Sequence, residues 1–486
     1  MSLSKSKYCN AVQCKKMLWL DKYCPLEKEE LSNQSTLDNG TEVGEYAKGL
    51  FGSYIDIAFN RDLNVMIEET EKALENDHGV ITEASFVYEN NFCSVDILKF
   101  NNKDVEIYEV KSSTSVKDIY LDDISYQAYI LMNLGYNVTK CNIVHINSSY
   151  VRLGELELNK LFTIEDVTSI VFDKQKETKI RIEEINEYMK QIDEPNDDIG
   201  LHCVNPYECP FFKHCTKHLG ERNIFNIRRM TNSKKFDLYH RGIYSYDDLL
   251  KEDIDWKFKQ QIEFELIDKD PFIDKEKINE FMKTLTYPLY FLDFETFQQP
   301  IPKFDNVSPF MQIPFQYSLH YIDNDELYHK EFLAEANIDP RRDLAESLVR
   351  DIPKDVCVLA YNMSFEKTVI KNLSKLFPDL SEHLMNIHDN IKDLMIPFKN
   401  RDYYVKEMYG SFSIKYVLPA LFPNEESLNY HNLDLIHNGS EAMNAYANLG
   451  DLSNEEQEEV RKNLLKYCEL DTFAMVKIWE KLKEVV

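Results

Sequence analysis

The segment 105–111, Val-Glu-Ile-Tyr-Glu-Val-Lys, constrains the fold of the first half of the chain more than any other feature. Its dense, partly β-branched apolar residues predict a strand after a turn at 101–104. Side chains alternate along a strand, so Glu109 and Lys111 should project from the same face. Upstream, residues 86–88 and 92–100 predict two more antiparallel strands, and Asp96 lies within the second. The segment therefore predicts a sheet that gathers two acids and one lysine.

Asp96, Glu109 and Lys111 are a set that can hold a divalent cation and place a lysine beside an attacking water or a scissile phosphate. A Glu-x-Lys pair also occurs on exposed hairpins as two solvent-facing neighbours. The spacing by itself favours neither interpretation.

The sequence around these residues resembles the PD-(D/E)XK nucleases of the RecB/AddB and CRISPR-associated type, in Asp96, Glu109-Val110-Lys111 and Tyr126-Gln127. The resemblance implies that Asp96 and Glu109 bind Mg²⁺ or Mn²⁺, that Lys111 is catalytic, and that Gln127 helps to complete the site. Glu83 matches the acid that often precedes the hairpin and is a further expected metal ligand. Many relatives carry a histidine on the first core helix, whereas residues 44–51 contain none. The full ligand set of the metal is therefore open.

The N-terminus is polar and lacks the apolar core of a signal peptide, and no apolar run approaches the ~20 residues of a membrane span. We therefore expect a cytoplasmic protein without a membrane partner. The net charge of −28 counts against a protein that simply coats DNA, but it is compatible with acid-rich metal sites beside a local basic groove. Binding of nucleic acid should then require metal and weaken quickly with salt.

Ten cysteines in a cytosolic chain are expected to include metal or cluster ligands rather than a disulfide framework. Cys203, Cys209 and Cys215 follow one another at six-residue intervals, and Cys14 lies far upstream. Such a set can bind zinc, hold an iron–sulfur cluster, or be inert. The remaining cysteines are most simply small core residues, apart from Cys9, which is a rival fourth ligand.

The cysteine pattern resembles that of iron–sulfur RecB-like nucleases, in which one N-terminal and three C-terminal cysteines bracket the nuclease core. The resemblance implies a [4Fe–4S] cluster held by Cys14, Cys203, Cys209 and Cys215, with zinc as the alternative. Cys14 is preferred to Cys9 because it lies in a Gln-Cys pair followed by Leu-Trp-Leu, as in the family.

A second acidic set lies in the C-terminal third of the chain. Residues 287–296 predict an apolar strand whose Asp293 and Glu295 point to one face. Two adjacent anions on a core strand are costly unless cations neutralise them, and two divalent ions about 4 Å apart would do so. Residues 455–485 predict a late helix with Tyr467 and Asp471, four apart, on one face.

Asp-x-Glu on a first strand with Tyr-x-x-x-Asp on a late helix resembles the DEDDy 3′–5′ exonucleases of the RNase H-like superfamily. Their middle motif is Asn-x-x-Phe-Asp, and residues 362–366 match it except that Glu366 replaces the aspartate. Asp393 is a second candidate for that acid. The resemblance implies that Asp293, Glu295, Glu366 and Asp471 hold two metal ions and that Tyr467 orients the attacking water. A related domain kept only as a scaffold is the alternative.

We therefore expect an α/β multidomain protein. Its parts are a PD-(D/E)XK restriction-endonuclease-like domain with a cysteine cluster at 1–218, a helical connector at 219–285, and an RNase H-like domain at 286–486. Within the first domain, 121–134 and 163–192 predict helices and 142–146 a strand. The whole chain resembles bacterial fusions of these two nuclease types. This implies a two-headed, metal-dependent nuclease that acts on nucleic acid, with DNA ends favoured over RNA. The alternative is an end-binding adaptor in which one or both sites are inactive.

Overall fold

The computed structural model describes residues 3–30, 34–76, 78–267 and 269–486, with residues 34–39 and 431 described in their backbone alone. Internal contacts divide the chain into two compact units. Unit 1 comprises residues 1–220 and 299–311, and unit 2 comprises residues 221–298 and 312–486. The predicted class, a multidomain mixture of helices and sheets, is confirmed.

Unit 1 contains one seven-stranded sheet and its surrounding helices. The strands are β1 (Leu3–Ser4), β2 (Ile55–Asp56), β3 (His78–Tyr88), β4 (Asn91–Asn101), β5 (Asp104–Lys111), β6 (Asn137–Ile146) and β7 (Phe162–Asp166). The helices are α1 (Lys5–Gln13), α2 (Lys15–Tyr23), α3 (Gln34–Lys48), α4 (Leu63–Ala73), α5 (Asp118–Asn133), α6 (Leu158–Leu161), α7 (Thr168–Tyr188) and α8 (Phe212–Thr216). The strand order is β2-β3-β4-β5-β6-β7, with β1 paired to β4.

The centre of this sheet forms as the sequence predicts. β3, β4 and β5 are antiparallel neighbours, and α5 carries the chain from β5 to the parallel strand β6. α5 is followed by Gly135 at φ +87°, a left-handed conformation that favours glycine. The same faces of β4 and β5 pack against α1 and α5, and this core includes Val95, Ile107 and Ile124.

The predicted helix at 163–192 is wrong at its beginning. Residues 162–166 form β7, which pairs antiparallel with β6, and α7 begins only at Thr168. Phe162 is buried while Glu165 and Asp166 are exposed. This short segment therefore pairs with the backbone N–H and C=O groups at the edge of β6 and still keeps its charges in solvent.

Unit 2 contains a five-stranded sheet, a two-stranded sheet and eleven helices among its described residues. The strands are β8 (Phe272–Ile273), β9 (Leu289–Phe297), β10 (Ile313–Asp323), β11 (Glu326–Leu333), β12 (Cys357–Ala360), β13 (Ile391–Asp393) and β14 (Tyr403–Tyr404). The first helices are α9 (Asn232–His240), α10 (Tyr246–Leu249), α11 (Trp256–Ile267), α12 (Lys275–Met282), α13 (Arg341–Asp351) and α14 (Ser364–Leu376). The others are α15 (Ser381–Asp389), α16 (Ile396–Lys399), α17 (Ile414–Leu421), α18 (Gly439–Ala447) and α19 (Asn454–Val485).

β9 is the central strand of the order β11-β10-β9-β12-β13, antiparallel to β10 and parallel to β12. Its residues Leu292 and Phe294 share one core cluster with residues of α13, α14 and α15. The opposite face lies toward α19, where the ring of Phe291 is 6.1 Å from that of Trp479. Asp293 and Glu295 belong to this second face because side chains alternate along the strand. Burial of one apolar face thus directs both acids toward the last helix.

The predicted connector, from residue 221 onward, falls within unit 2. Its residues form a separate small hydrophobic cluster that includes Ile224, Leu238, Leu249 and Ile262. In the described part of the chain, no helix combines the length and the apolarity that crossing a bilayer would require.

Candidate functional sites

The two acids of β9 and the acid of α19 meet in unit 2. Asp293, Glu295 and Asp471 each offer a carboxylate oxygen, and these oxygens all lie within 4.8 Å of one another. Glu295 and Asp471 are buried. An ideal Cβ built on Gly439, the first residue of α18, would lie 3.7 Å from Glu295 Oε2. The cluster is therefore enclosed by β9, α18 and α19.

Burial and mutual repulsion shape the electrostatics of this cluster. Burial, with the charges of Asp471 and Glu295, raises the pKa of Asp293 well above its usual range. Burial and Asp471 do the same to the pKa of Glu295. Burial raises the pKa of Asp471 to about 6, although hydrogen bonds to tyrosine hydroxyls oppose the shift. Without a cation, burial and mutual repulsion disfavour ionisation of all three carboxyl groups at once.

Glu366, on the first turn of α14, contributes a fourth acid. Its Oε2 atom is buried and has no hydrogen-bond partner among the described residues. Burial raises the pKa of Glu366 to about 8. Its charge also raises the pKa values of Asp293 and Glu295, which shows that the groups interact electrostatically.

Asp393, the rival for this position, is used differently. Its Oδ1 atom accepts hydrogen bonds from the backbone amides of Asn362 and Met395, both at 3.0 Å. Asp393 therefore holds the start of the loop that leads into α14, whereas Glu366 keeps an unpaired oxygen.

Two tyrosines and one lysine surround Asp471. Tyr430 donates a hydrogen bond of 2.6 Å to Asp471 Oδ1, and the rings of Tyr430 and Tyr467 have centroids 6.0 Å apart. Burial and the charge of Asp471 raise the pKa of Tyr467, so its phenol keeps its proton. Lys415 lowers the pKa values of Glu295 and Asp471 and lines a cleft of about 950 Å³ together with Tyr430 and His437. No local motif marks Tyr430, because it lies in a short 3-10 turn that is 41 residues from Asp471 in sequence.

The predicted residues of unit 1 also come together. Asp96 Oδ2 accepts a hydrogen bond from the Val110 amide at 2.7 Å, which fixes β4 against β5. Lys111 Nζ contacts Glu109 Oε1 at 2.5 Å, and Gln127 Nε2 donates to Glu109 Oε2 at 2.7 Å. The Oε1 atom of Gln127 is buried and has no hydrogen-bond partner among the described residues. β4, β5 and α5 therefore place all four side chains in one cluster.

Two further members of this cluster were missed by the sequence analysis. Lys5 Nζ lies 3.0 Å from Asp96 Oδ1 and 3.0 Å from Glu109 Oε1. Asp123, one turn before Gln127 on α5, contacts Lys111 Nζ at 2.7 Å. Asp123 could have been found from its i,i+4 spacing to Gln127. Lys5 carries no such signal, since it lies in a polar N-terminal segment some 90 residues from Asp96.

The lysines neutralise the acids of this cluster. Burial alone would lower the pKa of Lys5, but Asp96 and Glu109 raise it well above its usual range. The pKa of Lys111 is likewise lowered by burial and raised further by Asp123 and Glu109. Burial and Glu109 raise the pKa of Asp123. Both lysines are therefore cationic at neutral pH.

Glu83 interrupts β3 beside this cluster. Its φ is +56°, and the ladder pairs Thr82 with Ile97 and Ala84 with Val95 but does not pair Glu83 with Asp96 between them. A left-handed conformation at a residue other than glycine costs of order 1–3 kcal/mol. Burial and the charge of Asp96 raise the pKa of Glu83 to about 7.

The four predicted cysteine ligands line one small enclosed cavity in unit 1. Burial raises the pKa of the Cys203 thiol to about 12 and that of Cys209 to about 11. Gln13 Nε2, next to Cys14, donates to the carbonyl oxygens of His202 at 2.8 Å and Tyr207 at 2.7 Å. This amide holds the N-terminal segment against the Cys203–Cys209 loop.

Cys9 lies elsewhere in unit 1. It packs against the hydrophobic core, and its surrounding charges are those of Asp123 and Lys111. The structure therefore places Cys14 rather than Cys9 beside Cys203, Cys209 and Cys215.

Comparisons with known proteins match parts of this chain. Residues 290–413 match a family described as "Domain of unknown function (DUF2779)", a segment that contains Asp293, Glu295 and Glu366. The chain is 31% identical over 219 residues to the uncharacterized protein MG366 of Mycoplasma genitalium, covering 41% of this chain and 32% of that protein. It is 26% identical over 261 residues to the uncharacterized protein UU173 of Ureaplasma parvum serovar 3, covering 49% and 37% respectively. The matched region thus spans about a third of the length of each relative.

Proposed function

We propose that this protein is a metal-dependent nuclease with a 3′–5′ exonuclease site in unit 2 and a second nuclease site in unit 1. The observation that carries the proposal is the convergence of Asp293, Glu295 and Asp471 within 4.8 Å, beside the unpaired oxygen of Glu366. Their donor atoms are all carboxylate oxygens, the ligands that Mg²⁺ and Mn²⁺ prefer. The cluster has an acid pair on the first strand of its sheet and a Tyr-x-x-x-Asp pair on its last helix, as expected for a DEDDy site.

Asp293, Glu295, Glu366 and Asp471 would hold two divalent ions. Bound ions would polarise the phosphate and lower the pKa of an attacking water. Tyr467 keeps its proton and can donate a hydrogen bond to that water, while Tyr430 orients Asp471. Lys415 lines the adjacent cleft, where it can attract the phosphates of a single strand.

In unit 1, Asp96, Glu109 and Glu83 would hold one divalent ion, and Lys111 would stabilise charge on the attacked phosphate. One ammonium group contacts both Asp96 and Glu109, so these two carboxylates lie close together, and Glu83, whose pKa the charge of Asp96 raises, keeps a strained conformation. Strain of this kind is common at functional sites. The ammonium of Lys5 now contacts Asp96 and Glu109, so it would have to shift for an ion to bridge them.

The cysteine cavity would hold a [4Fe–4S] cluster with a structural role. The donor set is four thiols in an enclosed cavity. A tetrahedral zinc ion would bring the sulfur atoms to about 3.8 Å from one another. In the described part of the chain, no three of these sulfur atoms all lie within 4.8 Å of one another. The wider spacing favours the larger group.

A second candidate function is a nucleic-acid end-binding adaptor in which the site of unit 1 is silent. The position of Lys5 favours it, because a lysine that already neutralises Asp96 and Glu109 competes with a metal ion. In that case unit 1 would bind nucleic acid without cutting it.

The test uses the full chain, Mn²⁺, and matched single-stranded DNA and RNA oligonucleotides labelled at either end. Native protein should release mononucleotides from the 3′ end, and Asp293→Asn should abolish that activity. Lys111→Ala should remove a separate activity, while Lys99→Ala, a lysine on the neighbouring strand that pairs with Glu106, serves as its control.

Three other results would change the assignment. Retention of the oligonucleotide without cleavage in native protein would favour the adaptor. Loss of all cleavage in both Asp293→Asn and Lys111→Ala would contradict two independent sites. Unchanged cleavage in Lys111→Ala, with 3′ activity lost in Asp293→Asn, would leave unit 1 silent.

A further inference from the structure

A cluster of two histidines and one glutamate lies on the outer part of the five-stranded sheet. His320 on β10 and His329 on β11 are directly opposite each other in the antiparallel register, with ring centroids 4.5 Å apart. Glu469 on α19 completes the set, and His329 Nδ1 lies 3.9 Å from Glu469 Oε1. Each of the three residues offers a ligand atom within 4.8 Å of the others.

The hydrogen bonds around the histidines fit an arrangement in which each ring has one nitrogen available. Thr472 Oγ1 donates to the carbonyl oxygen of Glu469 at 3.1 Å, so it accepts from Ser318 Oγ at 2.6 Å and from His320 Nδ1 at 2.8 Å. Ser318, having given its proton to Thr472, accepts from His329 Nε2 at 2.9 Å. In this arrangement every contact has one donor and one acceptor.

In this arrangement each ring keeps one lone pair, on Nε2 of His320 and on Nδ1 of His329. Burial lowers the pKa of His320 to about 4, in agreement with a neutral His320 ring. Metal-binding histidines typically donate their other ring N–H to a fixed acceptor, and here Thr472 and Ser318 are those acceptors. The hydroxyl groups that would orient two metal-binding histidines are therefore already in contact with them.

We propose that His320, His329 and Glu469 form a binding site for a transition-metal ion of the Zn²⁺ class, separate from the carboxylate cluster. Two imidazoles and one carboxylate suit Zn²⁺, whereas Mg²⁺ prefers an all-oxygen set. Three protein ligands leave one tetrahedral position for water. Ligand atoms around a tetrahedral Zn²⁺ lie about 3.3 Å apart, so the 3.9 Å pair needs only a small closure.

The half-exposed side chain of Glu469 can make that closure, since 51% of its surface is accessible while His320 is buried. The ion would join α19 to the β10–β11 hairpin. Glu469 and Asp471 are two residues apart on α19, so their side chains point in directions about 200° apart around the helix. The ion would therefore bind α19 to the sheet without being part of the carboxylate cluster. The role is structural, and the inference does not depend on the nuclease proposal.

The test is equilibrium dialysis of the full chain against Zn²⁺ in excess Mg²⁺, which occupies all-oxygen sites. Native protein should bind one equivalent of Zn²⁺ more than His329→Gln, and the affinity of this site should fall by about 100-fold or more in that variant. Glu469→Gln should lose the same equivalent. His388→Gln is the matched control, because His388 also contacts an acid, Asp389 at 2.7 Å. It should bind as much Zn²⁺ as native protein.

Thermal unfolding gives a second readout, because an ion that binds the folded state raises Tm as its concentration rises. Zn²⁺ should raise the Tm of native protein and His388→Gln by more than that of His329→Gln. Equal stoichiometry, affinity and Tm shift in native protein and His329→Gln would overturn the proposal. If His329→Gln did not fold, equal binding by native protein and Glu469→Gln would overturn it instead.

Discussion

Replacing Glu366 with glutamine should change how the stability of the metal-free protein depends on pH. In the folded protein, burial raises the pKa of Glu366 to about 8, above the value of about 4.5 for an exposed carboxyl group. A group whose pKa is raised on folding contributes stability at low pH, and that contribution is lost as pH rises through the folded value. Metal-free native protein should therefore lose stability from about pH 5 to about pH 8.

The magnitude follows from linkage. Each pH unit between the two pKa values removes about 1.4 kcal/mol of stability. The group is partly ionised near both ends of the interval from pH 5 to pH 8, so the total is about 3 kcal/mol. Glutamine has nearly the same shape and no titrating proton, so Glu366→Gln should lack this loss. The losses due to Asp293 and Glu295 should remain, somewhat reduced because the charge of Glu366 no longer raises their pKa values.

The assay is urea unfolding with EDTA at pH 5 and pH 8, followed by tryptophan fluorescence in a Trp19→Phe background, so that the signal comes from Trp256 and Trp479 of unit 2. Between these pH values, the free energy of unfolding should fall by about 3 kcal/mol more in native protein than in Glu366→Gln. Glu458→Gln, an exposed position on α19, is the control and should behave as native protein does. At pH 8, Mn²⁺ should stabilise native protein more than Glu366→Gln, because only native protein has the fourth carboxylate as a metal ligand. The same pH dependence in native protein and Glu366→Gln would refute the reasoning and return Asp393 as the fourth acid.

Three further predictions concern the other groups. Cys14→Ser should abolish the visible absorption of anaerobically purified protein and destabilise unit 1, whereas Cys9→Ser should keep the visible absorption. Colourless native protein with stoichiometric zinc would disprove the iron–sulfur assignment. Tyr467→Phe should lower kcat with little change in the Mn²⁺ dependence of exonuclease activity. Tyr430→Phe should instead weaken Mn²⁺ binding, because it removes the hydrogen bond that orients Asp471. Full activity of Tyr467→Phe would make Tyr467 a packing residue. Lys5→Gln should destabilise metal-free unit 1 by about 2–3 kcal/mol, since buried Glu109 loses one of its cations. The same change should lower the Mn²⁺ concentration that stabilises unit 1. An unchanged urea midpoint would count against this role of Lys5.

Local pattern was enough to place most of the site-bearing elements. The strand of Glu109 and Lys111, the helix of Gln127, the strand of Asp293 and Glu295 and the long final helix all lie where their periodicity predicts. Periodicity works here because each element buries one face, and the same alternation that makes Leu292 and Phe294 apolar directs Asp293 and Glu295 to the other side. It fails at 162–166, since a five-residue segment is too short for its pattern to separate strand from helix.

Tertiary structure decided which distant side chains share a cluster. Lys5 contacts Asp96 and Glu109 because β1 pairs with β4, and α1, which follows β1 directly, therefore starts beside the sheet. No local pattern encodes the pairing of β1 with β4. Position in space also brings Cys14, and not Cys9, into the cavity lined by Cys203, Cys209 and Cys215, and it leaves Glu366 Oε2 without a hydrogen-bond partner among the described residues. The His320–His329–Glu469 cluster arises from the register of β10 with β11 and the packing of α19. The sequence alone determined the chemistry that each element carries, because residue type and alternation are local. Which groups meet depends on strand register and helix packing, which are set by burial over the whole unit.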